Sequence, residues 1–190
     1  MKIMKIMCIV MMSLLLLTSC AVAPSAVDLL FDRISDNAKA DKKADENIEL
    51  IVSAISEKDK EKLKSIFSKT ALSEMKNFDE QFEILQKFLE GEFVSWEVSS
   101  ARQTSTDIAY GDKSIKTGTY GYYITNSNEY RIYIVDFPFD TISEENQGVY
   151  MIYVTSRDYD GILRWRCVMK PGIYIPEVEG IEGIDSDLIS

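Results

Sequence analysis

The chain has 190 residues, enough for one domain with little left for a second. Lys and Arg number 21 against 31 Asp and Glu, a formal charge of -10. A surface that acidic repels phosphate backbones, so nucleic acid is not an expected partner. Histidine is absent, which excludes His-based triads, His zinc sites and His general acid–base chemistry.

The first nineteen residues read as an address. Lys2 and Lys5 open an almost wholly apolar run at residues 6–17. That run is shorter than the ~20 residues a spanning helix needs and has the size of a signal-peptide core. It has no polar face, as a buried amphipathic helix would. Leu17-Thr18-Ser19-Cys20 then resembles the bacterial lipobox. The resemblance implies a cut after Ser19 and acyl chains such as palmitate on Cys20. Two chains hold a protein on a membrane where one holds weakly, so the expected location is the extracytoplasmic face of the cell membrane. Of the three cysteines, Cys8 leaves with the signal, Cys20 carries lipid and Cys167 stays alone. No intramolecular disulfide can form, and no metal site built on several thiolates.

The expected organisation is a signal peptide at 1–19, a lipidated Cys and short tether at 20–26, one α+β domain at 27–176 and an acidic tail at 177–190. Ser25 with Asp28 has capping-box spacing, followed by Val27, Leu30, Phe31 and Ile34 on one helix face. Residues 36–47 are polar and suit an exposed helix continuation or a loose connection. Ile48, Ile51, Val52 and Ile55 repeat the helical face. Ser56 with Asp59 is a second capping box, with Leu63, Ile66 and Phe67 behind it. Asn77 with Glu80 starts a further helix, lined by Phe78, Phe82, Leu85, Phe88 and Leu89 and ended by Gly91.

From Glu92 the chain alternates in period two. Strands are expected at 93–100, 115–125, 129–137, 148–155 and 162–169. Residues 101–114 read as polar connection, Asn126-Ser127-Asn128 as a hairpin turn and Asp158-Tyr159-Asp160-Gly161 as another. Pro171, Gly172 and Pro176 read as breakers. The tail from Glu177 has five acids and no base and reads as loosely packed.

Helices followed by hairpin-linked strands imply a helical layer on one face of a curved antiparallel sheet of four to five strands. This order resembles the cystatin-like α+β cone of nuclear transport factor 2 and ketosteroid isomerase. Phe88-Leu89-Glu90-Gly91, Val94-Ser95-Trp96-Glu97 and Tyr130-Arg131-Ile132-Tyr133 with Asp140 are similar to a family of uncharacterised small lipoproteins of gut bacteria. The resemblance implies a nuclear transport factor 2-like cone and no particular activity, because cones of this kind host enzymes, binding modules and immunity proteins alike.

Candidate functional residues follow from strand parity. Tyr130, Ile132, Ile134 and Asp136 share one face of their strand, and Arg131, Tyr133, Val135 and Phe137 the other. A buried Asp136 has its pKa raised by desolvation and suits acid–base work; an exposed one is merely a strand end. Trp96, Tyr122, Tyr130, Tyr133 and Tyr153 suit a pocket or interface wall, or plain cross-strand packing. Arg164 and Arg166 suit an anionic ligand or neighbouring acids. Cys167 shares a row with Leu163 and Trp165 and reads as core. Metal and phosphate motifs are missing, and no cofactor is expected. Asp158-Tyr159-Asp160-Gly161 lacks the ligand pattern of a calcium loop, and Gly118-Thr119-Tyr120-Gly121 lacks the Lys-Ser/Thr of a phosphate loop. The leading expectation is a membrane-tethered, non-catalytic module that binds a ligand or a protein. The alternatives are a small cavity enzyme using Asp136 with a tyrosine, and an inhibitor or immunity-type partner.

Overall fold

The computed structural model describes residues 23–99, 102–159 and 170–178. Among the described residues four helices precede six strands: α1 (Ala23–Ser56), α2 (Lys60–Ile66), α3 (Lys69–Glu74), α4 (Phe78–Phe88), β1 (Phe93–Val98), β2 (Gln103–Ala109), β3 (Asp112–Thr125), β4 (Glu129–Asp140), β5 (Gly148–Ser156) and β6 (Gly172–Tyr174). A 3-10 turn at Glu144–Asn146 joins β4 to β5. The chain divides into two units, Met1–Lys39 and Ala40–Ser190. In the first, Ile34 is exposed rather than closing a buried stripe, and Lys39 pairs with Asp36 at 3.4 Å.

In the second unit the helix ends follow local chemistry. Residues 40–47 are helical, and Ala40, Ala44, Asn47, Ile48 and Ile51 form a buried stripe. The small alanines let α1 lie close to its neighbours. Asp59, not Ser56, caps α2: its carboxylate accepts from the Lys62 N–H at 2.9 Å, while the Ser56 hydroxyl turns back to the Ser53 carbonyl. Ser68 caps α3 by accepting from the Ala71 N–H. α4 starts after Asn77, which is left-handed at φ 54 and donates to the Glu80 carboxylate at 3.1 Å. Ile51, Ile55, Leu63, Phe67, Phe78, Phe82 and Leu85 pack against Tyr130, Ile132, Ile134, Ile152, Val154 and Ile173 of the sheet. This is the main core. A second cluster, Tyr133, Val135, Met151, Tyr153 and Tyr174, draws on the alternate residues of the same strands.

The expected helices-then-strands order and the α+β layering hold, but the cone does not. The sheet has six strands in the order β1-β3-β4-β5-β6, with β2 also on β3, and it is open and uncurled. β1 pairs with residues 121–125 of β3 and β2 with residues 112–118, so both lie along the same edge. The other end is β6, which runs parallel to β5. A nuclear transport factor 2-like cone of four to five antiparallel strands is therefore corrected to an open, mixed sheet. Residues 103–109, read as connection, form β2 and turn through Tyr110 and Gly111, both at positive φ. Gly172, read as a breaker, starts β6, and Gln81 of α4 accepts the Ile173 N–H at 2.9 Å. The expected strand at 162–169 lies outside the described residues.

Candidate functional site

Asp136 sits where β4 is irregular on both sides. Its Cα partners are Thr117 on β3 and Val149 on β5, and the register shifts beside each. Such bulges re-aim a side chain out of the plain alternation. The Asp136 carboxyl is 2% exposed. It accepts from Asn47 Nδ2 of α1 at 3.1 Å and from the Thr117 hydroxyl of β3. Arg102, just before β2, lies nearby. Its Nε donates to the Thr119 hydroxyl at 3.0 Å, and its other nitrogens reach the Asp41 carbonyl and the Asp41 and Asp45 carboxylates of α1. Helix and sheet are thus stitched together by polar groups from α1, β3, β4 and the start of β2.

Burial pushes the Asp136 pKa up, and the hydrogen bonds from Thr117 and Asn47 and the Arg102 charge partly offset it. A carboxyl whose charged form is disfavoured in this way holds its proton more tightly than an exposed one. Parity reasoning singled out Asp136. It missed Asn47, Thr117 and Arg102. The available signal for Asn47 was its place among alanines and isoleucines at helical spacing. Thr117 and Arg102 are contributed by register and by an edge connection, which sequence alone does not show.

The other predicted residues do not gather around Asp136. Tyr130 is six residues along β4, roughly 20 Å at strand rise, and its hydroxyl accepts from the Glu90 N–H at 2.8 Å. Tyr133 belongs to the second cluster and its ring lies 4.3 Å from that of Tyr120. Tyr153 is in that cluster too, and burial pushes its hydroxyl up to about 12. Trp96 packs against the main core on β1, with its Nε1 buried and unpartnered. Tyr122 carries the Arg157 guanidinium 5.3 Å over its ring. Cys20, Arg164, Arg166 and Cys167 lie outside the described residues. A second buried carboxylate, Asp140, accepts from Ser114, the Ser143 N–H and Asn146 at 2.8, 2.7 and 3.3 Å, and so ties the β4–β5 connection to β3.

Among the described residues, two hollows on the surface concern the candidate residues. The larger, about 820 Å³, lies at the β3–β4 hairpin end between the last turns of α4 and the end of β5. Phe88 and Tyr130, with ring centroids 5.4 Å apart, form its aromatic part. Lys87, Glu90, Asn128 and Arg157 give it a polar rim. The smaller, about 290 Å³, is lined by α1, the end of α2 and the β4–β5 connection. Asp136 lines neither. Among the described residues no group of three or more acids and thiols could hold a metal ion. Nor, among them, is any helix long and apolar enough to cross a membrane.

No curated protein matches the chain. A family model described as a domain of unknown function (DUF5104) matches residues 50–157, from the end of α1 to the end of β5. That match and the open sheet replace the resemblance to lipoproteins with a nuclear transport factor 2-like, cystatin-like domain. The matched stretch is more than half of the sequence, and the chain belongs to the DUF5104 family.

Proposed function

We propose that this protein is a lipid-anchored binding module on the extracytoplasmic side of the cell membrane, and that it holds a ligand or a protein segment without transforming it. The observation that carries this reading is the 820 Å³ groove beside the β3–β4 hairpin. Its volume suits a drug-sized ligand or a few side chains of a partner. It joins an aromatic wall to amide, hydroxyl and charged groups, the mixture that interfaces and ligand sites favour. The anchor rests on the lipobox-like residues 17–20.

Catalysis by Asp136 is the second reading, and the raised pKa of that carboxyl favours it. Its neighbours weigh against it. Asn47 and Thr117 occupy its oxygens, and it faces neither hollow.

A photoreactive group placed at Asn126, in the groove, tests the binding reading against one at exposed Ser73 of α3, outside it. The full chain would be produced in a bacterial host and irradiated on the cell. A discrete adduct from the Asn126 position alone, competed by unmodified protein, is expected. Equal labelling from both positions, or none from either, would remove the groove as a binding site.

A further inference from the structure

The smaller hollow has a polar floor of unusual construction. Asn47 lines it while being only 4% exposed. Asn47 Nδ2 donates to the Asp136 carboxylate behind it at 3.1 Å. An ionised carboxylate only accepts, so the nitrogen end of the amide is committed inward. The carbonyl Oδ1, at the other end of the planar group, is left for the hollow. The other polar side chains of the lining each make one bond within the fold. The Ser65 hydroxyl donates to the Lys62 carbonyl at 2.7 Å, and Gln147 Nε2 donates to the Asp140 carbonyl at 2.8 Å. Lys43 at the rim pairs with Glu46 at 3.3 Å. Leu50, Ile66, Phe67 and Pro138 supply apolar walls.

We infer that this hollow is a second ligand site, separate from the β3–β4 groove, that takes a small neutral molecule with one hydrogen-bond donor and an apolar body. The donor meets Asn47 Oδ1 and the body lies against Phe67, Leu50 and Pro138. A cation is disfavoured by Lys43, and an anion would meet the Asn47 carbonyl on the floor, the Ser65 hydroxyl being turned to the Lys62 carbonyl and the Lys43 charge being offset by Glu46. About 290 Å³ is the volume of roughly ten waters at ~30 Å³ each, which accommodates a single six-membered ring. The buried Asp136 gains a role in this arrangement: it holds the amide in one orientation, so that an acceptor rather than a donor faces the ligand.

The probes are 4-fluorophenol, fluorobenzene and 4-fluorobenzoate, matched in ring size and differing in the polar group. Binding to the full chain in detergent is read by fluorine NMR near neutral pH, where the phenol is uncharged. The phenol should bind at least ~5-fold more tightly than either comparator, the worth of about one net hydrogen bond. Ser65→Trp and Leu50→Trp, substituted at exposed lining positions on α2 and α1, should each abolish binding without loss of helix signal in circular dichroism. The inference is overturned if fluorobenzene binds equally well, if the benzoate binds better, or if the phenol does not bind at about 10 mM, a level that reveals even a weak complex. It is equally overturned if phenol binding survives in a folded rim variant. None of these results bears on the β3–β4 groove.

Discussion

Asp136 carries its carboxyl into an environment that disfavours its charge. Asp136 is 2% exposed and pays for its charge in lost hydration; the hydrogen bonds from Thr117 and Asn47, the more distant Arg102 and a backbone hydrogen bond offset only part of that loss. Its folded pKa lies above the unfolded value, near 4 for an aspartate. The folded state therefore binds the proton more tightly than the unfolded state. The stabilising contribution is fully present below the unfolded value and is lost as pH rises through the raised folded pKa. Asp136→Asn removes that loss. Its amide can accept from Asn47 and donate to Thr117, so both partners stay satisfied. We expect the variant to melt above the wild type at neutral pH, with the gap closing as pH falls toward 4. Asp136→Ala leaves Asn47 and Thr117 buried without their acceptor, at ~1–3 kcal/mol each, and should melt lower at every pH. Thermal melts from pH 4 to 8 decide it: a gap between Asn variant and wild type that does not change with pH would mean that Asp136 does not titrate differently in the two states.

At the scale of elements, glycines set how closely strands and aromatic side chains approach. A Cβ on Gly121 of β3 would run into the ring of Trp96 and the Glu97 carbonyl of β1. Trp96 lies over that bare backbone to reach the main core. Gly121→Ala should push the indole off the sheet. It should cost about 1–3 kcal/mol, the usual penalty for overfilling a packed site, and shift the tryptophan emission to the red as the ring meets water. An unshifted spectrum with unchanged stability would show that β1 yields without cost. Which elements were legible follows from the same physics. α4 and β3 to β5 were readable because burial imposes a period on them: Phe78, Phe82 and Leu85 on one, Ile132 and Ile134 on another. β2 was not, because Thr104, Ser105, Asp107 and Ile108 are all exposed, so no buried face writes alternation into its sequence. β6 was hidden by its length of three residues and by the prolines around it. The polar ring about Asp136 was half legible. Strand parity pointed to the carboxyl, whereas its partners come from α1, β3 and the start of β2, which only the tertiary register brings together.

At the scale of the whole molecule, helix-then-strand order is enough to place helices against one face of a sheet, because each element must bury an apolar side. It does not decide whether the sheet curls. Here β1 and β2 share one edge along β3, and β6 joins the other in parallel, so among the described residues no pairing draws the ends together. The proposed lipid on Cys20 would fix the molecule to a surface. The anchor is tested on the full chain produced in a bacterial host fed with labelled palmitate. The wild type should carry the label and begin at Cys20, 19 residues shorter than its gene product. Cys20→Ala should carry none and keep those residues, since there is no thiol to accept the lipid that precedes the cut. Label of equal strength on both proteins, or none on the wild type in a host that labels its other lipoproteins, would end the lipid-anchor proposal and leave the groove to be tested as that of a secreted protein.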